Sequence, residues 1–400
     1  MTDHVEFTHN DLIFTLDRED KLYKIQIKDR QDFLAGRCRG FVEDCSFNGS
    51  TVKAMVIGMV MTQPEYRRGG MARKTFEMLD APIRETGALI SYLHPFSFPY
   101  YRTMGYERVS DHRVLEFAIG DLDFVPRYPN LQRIRKDDDM SVLDQVYNQF
   151  SLGRNVMLRR YGSGSTEKKL VVPEYMKDGP YRYDFSAGKT YYLSRDEKGQ
   201  PDGYMIYHGE MPLQDHYLKD GILHIDEMCF TTPEALRKLL GFVRMFDGQY
   251  DFVRIANCGM APEIERMLRR YKYTKITVLP DVAARVHDVG GVLAASTYPR
   301  EQGQFTVQVK DCPKSPFSKD LTEGVWHVAY GNGTGTVTRL EDDAPCDLTL
   351  QMPAFTQFIH GFENFGPEVA KYMEGVQLHR DCHDFFRAFP NRPGGSFELY

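Results

Sequence analysis

From Val52 to Met61 the chain reads VKAMVIGMVM, an apolar run without strict alternation, as suits a strand covered on both faces. Pro64 ends it. A basic turn with two glycines follows, and then Ala72, Phe76, Leu79 and Ile83 recur at three and four residues, which predicts a helix from about Met71. LIFTL and LYKIQI upstream, and ALISYL and HRVLEFAI downstream, read as further strands. This order is that of a mixed α/β fold.

The turn between strand and helix carries chemistry. A helix start exposes backbone N–H groups and the positive end of the dipole, a combination that binds phosphates. Gly69 and Gly70 allow close approach of a ligand and unusual torsions, while Arg67, Arg68 and Arg73 add charge. Neither G-x-x-x-x-G-K-[ST] nor G-x-G-x-x-G is present, so a nucleotide triphosphatase loop is excluded. Spacing alone leaves a phosphate cradle and a solvated basic turn level. A nucleic-acid patch around Tyr66, Arg67, Arg68 and Arg73 is disfavoured by the net charge of -6 and the lack of a wider basic stripe.

A length of 400 residues predicts two or three domains. The seven cysteines are spread singly, without C-x-x-C, and read as reduced buried thiols. The polar N-terminus MTDHVEFTHN is no signal peptide, and AMVIGMVM is far short of the ~20 residues a membrane span needs. A soluble cytoplasmic protein is expected.

DLDFVPRYPNLQRIRKDDD, with its prolines and charges, reads as a domain boundary. Beyond it SVLDQVYNQF is helical, with Leu143, Val146, Tyr147 and Phe150 on one face. LHIDEMCF and DFVRIAN are strands. Between them Thr231 and Glu234 form a capping box for a helix through Phe246, with apolar stripe Leu236, Leu239, Leu240 and Val243. A third region opens at VLPDVAARVHDVGG. It contains a hairpin around Asn332-Gly333, a strand CDLTLQM, and a short helix opened by Pro353 and capped by Gly361.

The segment Arg67-x-x-Gly70-x-Ala72 after a strand resembles the pyrophosphate loop Q/R-x-x-G-x-G/A of the GNAT N-acetyltransferase superfamily. HPFSFPYYRTMGYE further on is similar to the PF..PFYR.FGYE segment of the Eis-like (enhanced intracellular survival) acetyltransferases, and the ending DFFRAFPNRPGGSFELY resembles theirs. The resemblance covers roughly Val52 to Tyr400. It implies tandem GNAT folds, an active N-terminal domain over 1–120 and a degenerate one over 121–285, followed by a sterol-carrier-protein-like α/β domain over 286–400.

The resemblance also assigns roles. Backbone groups of Val60, Met61 and Thr62 would contact the acetyl and pantetheine groups of acetyl-CoA, with free N–H groups of a splayed strand polarising the thioester carbonyl. Arg67, Arg68, Gly69, Gly70, Met71, Ala72 and Arg73 would hold the pyrophosphate. Phe96 and Ser97 would line the far wall. Tyr101 would be the general acid, with Tyr100 and Tyr106 as competitors, and the α-carboxylate of Tyr400 the general base. No metal is implied. The acceptor would be a primary amine on a cationic small molecule (aminoglycoside or polyamine) or a lysine side chain, and the assembly a homo-hexamer, a dimer of trimers, without nucleic-acid or membrane partners.

Some features depart from that pattern. The first strand and the helix pair that normally walls the acceptor pocket look shortened by ~25 residues. Gly69 stands where an arginine is frequent. The central domain passes straight from LHIDEMCF to TTPE, so it is expected to bind no CoA. His94 and His224 are weighed as bases and read first as structural residues, and HRDCHDFF (379–386) reads as a helix surface rather than a metal site. The rival class is a lipid or small-ligand carrier without chemistry, which predicts a long apolar tunnel in the C-terminal region.

Overall fold

A computed structural model describes residues 4–160, 188–211, 213–214, 217–218, 220–256 and 258–397. The chain divides into two compact units. The first holds residues 4–109 and 281–392, and the second holds residues 110–280 and 393–397 among those described.

The first unit is built on a mixed eight-stranded sheet. Five strands run consecutively: β1 His4–His9, β2 Leu12–Glu19, β3 Leu22–Lys28, β4 Leu34–Phe47 and β5 Ser50–Thr62. Two of their hairpins turn on residue pairs with positive φ, Asn10-Asp11 (49° and 61°) and Asn48-Gly49 (46° and 81°), the geometry that matches strand twist in two-residue loops. Helix α1, Met71–Thr86, then carries the chain to β6, Ile90–Leu93, parallel to β5. Its inward stripe of Met71, Thr75, Phe76, Leu79 and Ile83 matches the apolar spacing, except that Ala72 is only half-buried. Helix α2, Phe98–Arg102, and β7, Glu107–Arg108, complete the N-terminal part. No helix stands between His4 and Thr62, so the shortened helix pair expected there is absent and hairpins take its place.

The sheet is finished from far along the chain. The strand Ala283–Val286 inserts between β6 and β7, antiparallel to both, pairing Ala283 with Leu93 and with Arg108. The remainder of the unit is a five-stranded sheet ordered Thr334–Leu340, Gly324–Gly331, Gly303–Lys310, Leu348–Gln351 and Val376–Leu378. The hairpin at Asn332-Gly333 has positive φ at both residues (54° and 89°), as the sequence predicts. The helix Met352–Ile359 buries every residue, and Gly361 follows it in the left-handed region (φ 59°).

The second unit is a seven-stranded sheet ordered Lys275–Pro280, Asp111–Ala118, Phe252–Ile255, Ile222–Phe230, Pro201–Glu210, Thr190–Arg195 and Gln132–Ile134. Its helix Ser141–Ser151 buries Leu143, Val146, Tyr147 and Phe150 as expected. Two expectations change here. The strand in HRVLEFAI, placed before a boundary at 120, pairs inside this unit with Phe252–Ile255 and Lys275–Pro280. The boundary at 285 falls within a strand of the first sheet. Both differences arise because long-range pairing, which composition does not reveal, decides strand ownership. The cap of the next helix also shifts by one residue. Thr232, not Thr231, accepts from Ala235 N (3.1 Å), because Pro233 takes the first helical position, and the α-helix ends at Val243. The seven cysteines are all free and six are buried.

His360, in the first unit, gives a pH signature. Its Nδ1–H donates to Thr356 O (2.6 Å), which fixes Nε2 as the acceptor for the Tyr92 hydroxyl (3.1 Å). Burial lowers its pKa from the ordinary 6.5 to about 4. A folded-state pKa below the unfolded one means the unfolded chain binds more protons under pH 6.5. Stability is therefore full above pH 6.5 and falls as pH drops toward 4, by about 2 kcal/mol at pH 5 from this residue. Denaturant melts of wild type and His360→Gln between pH 7.5 and 5 should show a smaller pH-dependent loss in the variant.

Candidate active site

Two irregularities in β5 shape the site. Its pairing with β4 slips between Arg37/Met61 and Arg39/Gly58, a bulge with one extra residue on β5, and Met59 inside it takes φ 55°. On its other edge β5 pairs with β6 only from Ala54 to Val56. From there to Thr62 it runs on without that neighbour. The two parallel strands thus splay at their C-terminal ends, the end at which open α/β sheets bind ligands.

The turn after β5 is tight and left-handed in two places. Arg68 has φ 66° and Gly70 φ 78°. Gly70 is the N-cap of α1 and no side chain caps the helix, so the N–H groups of Met71, Ala72 and Arg73 are left for a ligand. Arg67 Nε donates back to Thr62 O (3.2 Å), which ties the loop to the strand end.

These elements bound a cleft of about 780 Å³ in the first unit. Val60 and Thr62 line it from the strand, Arg67, Arg68, Gly70, Met71, Ala72 and Arg73 from the loop and helix, and Phe96 from the segment before α2. Met61, Gly69 and Ser97, expected with them, are not in the lining. Ser97 instead caps α2, its Oγ accepting from Tyr100 N (3.4 Å). Tyr66, Tyr100, Thr103, Met104 and Lys314 complete the walls. Thr103 and Met104 lie inside the same YYRTMGY stretch that signalled the tyrosines. Lys314 had no local signal.

Tyr101 stands just behind this wall. It is 2% exposed, with its ring against Phe76, Phe96 and Tyr106 at centroid distances of 6.0, 5.3 and 6.0 Å. Burial first, then Cys38 and the neighbouring tyrosines, raises its pKa well above the ordinary phenol value, so it keeps its proton at neutral pH. Tyr100, 36% exposed, lines the cleft itself. Tyr106 is turned away, its hydroxyl 2.7 Å from Ser91 Oγ, which also meets His287 Nε2 at 2.7 Å. Burial and nearby Arg285 hold His287 well below its ordinary pKa, so this buried network is neutral.

Two other candidates are placed. His94, just after β6, has Nδ1 2.9 Å from Asp281 Oδ1, both largely buried. His224 lies in the second unit, with its ring on that of His208 and its Nε2 2.7 Å from Glu210 Oε2. Tyr400 lies outside the described residues. Pro393–Phe397 belongs to the second unit, where Phe397 packs near Tyr147. A further cavity on the C-terminal sheet, about 710 Å³, is lined by polar groups including Gln302, Gln304, Thr334, Thr336 and Asp384, a poor surface for a lipid.

Acetyltransferase (GNAT) domain models match residues 8–109 and 176–286. The chain carries two GNAT acetyltransferase domains. It is an N-acetyltransferase, and its co-substrate is acetyl-CoA. The first domain contains the strand, loop and helix that bound the cleft. Solved structures agree in fold. A probable N-acyltransferase of Enterococcus faecalis has TM-score 0.73 at 19% identity, covering 95% of this chain and 90% of that one. A GCN5-related N-acetyltransferase of Anabaena variabilis has TM-score 0.74 at 19% identity, covering 94% and 89%. Eis1 of Mycobacterium abscessus has TM-score 0.72 at 13% identity, covering 94% and 91%. No curated protein matches the chain in sequence. No helix among the described residues is long and apolar enough to cross a membrane.

Gly70 offers a clean test of the loop. An added Cβ would meet nothing within 4 Å, so only its φ of 78° resists substitution. Gly70→Ala should cost about 1 kcal/mol of stability through backbone strain. It should weaken acetyl-CoA binding by more than that small loss accounts for, as read by calorimetry beside a thermal melt.

Proposed function

We propose that the N-terminal GNAT domain transfers an acetyl group from acetyl-CoA to a primary amine of a cationic acceptor, an aminoglycoside, a polyamine or a lysine side chain. The observation that carries this reading is the splay of β5 from β6 running into an uncapped helix start flanked by Arg67, Arg68 and Arg73. Uncapped N–H groups, a helix dipole and three guanidinium groups suit a pyrophosphate. The splayed strand end suits the pantetheine arm and the thioester.

In this mechanism the neutral amine attacks the thioester carbon directly. Backbone N–H groups near Val60, Met61 and Thr62 stabilise the oxyanion of the tetrahedral intermediate. As the C–S bond breaks, Tyr101 gives its proton to the CoA thiolate. Burial keeps this phenol protonated at neutral pH but also makes it a weaker acid, so the role requires its hydroxyl to meet the sulfur directly. Tyr100, which lines the cleft, is the alternative donor. The α-carboxylate of Tyr400 takes the amine proton. A second candidate base is the His94 imidazole, whose Nδ1 meets Asp281 Oδ1 (2.9 Å) just after β6. An imidazole is better matched to a proton transfer near neutrality than a carboxylate of ordinary pKa about 3.5.

The same reading includes a central GNAT-like domain that binds no CoA, a C-terminal sterol-carrier-like domain, a cytoplasmic location and a homo-hexamer built from trimers. Titration with acetyl-CoA should give one site per chain, weakened at least tenfold by joint Arg67→Ala and Arg68→Ala. An absence of binding to the wild type would defeat the proposal. For the chemistry, Tyr101→Phe should lower kcat by 10²- to 10⁴-fold with little change in acetyl-CoA affinity. Unchanged turnover would pass the role to Tyr100. Extending the chain beyond Tyr400 should abolish turnover if its carboxylate is the base, whereas His94→Ala should do so if the imidazole is.

A further inference from the structure

The segment from Asp311 to Asp320 lies outside both matched GNAT regions, yet it supplies part of a wall of the cleft. It runs along α1. Arg73 Nη2 donates to Ser315 O (3.5 Å), Phe317 packs on Phe76 (ring centroids 6.1 Å), Ser318 N donates to Asp80 Oδ1 (3.2 Å), and Arg84 grips Asp320 with both terminal nitrogens (2.5 and 2.7 Å). Residues 73, 76, 80 and 84 fall on one helical stripe. The segment is also held from the other side, where Cys312 Sγ donates to Arg102 O (3.6 Å) just beyond the tyrosine pair. Its position between α1 and the end of α2 is therefore fixed at both flanks.

Lys314 is the residue of this segment that reaches the cleft. Its neighbour Ser315 meets Arg73 in the first turn of α1, so Lys314 lies beside the uncapped helix start. It is exposed and has no hydrogen-bond or ion-pair partner among the described residues. With Arg67, Arg68 and Arg73 it makes four cations around one cleft whose lining includes no carboxylate. Cations gathered in this way repel one another, and a polyanionic ligand relieves the repulsion.

We infer that Lys314 is a fourth phosphate-binding cation, pairing with a phosphate of CoA from beside the helix start that the arginine loop leads into. The inference rests on the acetyl-CoA reading and adds to it a contact from outside the GNAT domain. The cofactor site is then completed by a chain segment more than two hundred residues downstream of the loop, and residues 8–109 alone hold only part of it.

Calorimetry on the full chain tests this with CoA and 3′-dephospho-CoA at low and high salt. Lys314→Gln should weaken CoA binding roughly threefold to tenfold and flatten its salt dependence, while Lys314→Arg restores both. Because the side chain is exposed, the substitution removes charge without opening a core. A deficit that persists with 3′-dephospho-CoA assigns the contact to the pyrophosphate, and one that disappears assigns it to the 3′-phosphate. Either result supports the inference. If Lys314→Gln binds CoA as tightly as wild type, with the same salt slope, Lys314 is only a solvated lysine and the inference falls while the acetyl-CoA reading stands. Wild type that binds no CoA overturns that reading instead.

Discussion

A single buried ion pair holds the cleft in register with the rest of the first unit. Arg285, on the strand Ala283–Val286, and Asp311, at the head of the downstream segment, both have 0% side-chain exposure and meet through two hydrogen bonds of 2.9 and 2.6 Å. Burial alone would raise the Asp311 carboxyl. The Arg285 charge and the Thr322 hydroxyl hold it below the usual carboxylate range. Arg285 Nη1 also donates to Met104 O (2.7 Å), and its guanidinium lies 4.8 Å from the Phe317 ring centre. One side chain thus joins the inserted strand, the loop after α2 and the segment that presents Lys314. Gly105 makes room for it, since a Cβ there would come within 1.8 Å of Nη1. A well-packed apolar pair would match its stability, but a lone charge left by removing one partner would cost several kcal/mol, about 3 to 5. The pair's value lies in geometry more than in net energy.

The division of labour in the site follows from the same architecture. One side of the cleft, proposed for the cofactor, is made by β5, its bulge and α1, elements whose backbone is fixed by pairing and by a core containing Phe76, Leu79 and Ile83. Hairpins occupy the place where a helix pair was expected. In the proposed reading, cofactor recognition is carried by backbone and cations near one helix start, and the acceptor is read by other surfaces.

Much of this was legible locally. Strand β5, the basic turn and α1 follow from an apolar run, a proline and a 3.6-residue repeat, because their formation depends on neighbours in sequence. The tyrosine stretch was legible as a site but not in detail. Sequence could not tell that Tyr101 turns into the aromatic core while Tyr100 stays at the cleft, since consecutive helical residues differ only in what packs beside them. Strand β4 went unread, its glycines and arginines masking an alternation completed by β3 and β5. Lys314 and the inserted strand were invisible for a deeper reason. Each is placed by contacts across two hundred residues or so, and nothing in CPKSP or DVAARV announces a partner.

The inserted strand also bears on how the protein comes into being. On a ribosome the chain from His4 to Val109 emerges first, with every residue of β6 destined for burial but one of its two flanking strands not yet made. That edge lacks its partner while residues 110–280 of the second unit are synthesised, and it is covered only when Ala283–Val286 arrives. Bare apolar edges are the sites of wrong pairing. The first unit therefore cannot finish folding in the order it is translated, and the second unit has the opportunity to consolidate before it. The residues that line the cleft from Val60 to Met104 are thus made before the strand that closes their sheet, and Lys314 is made after it.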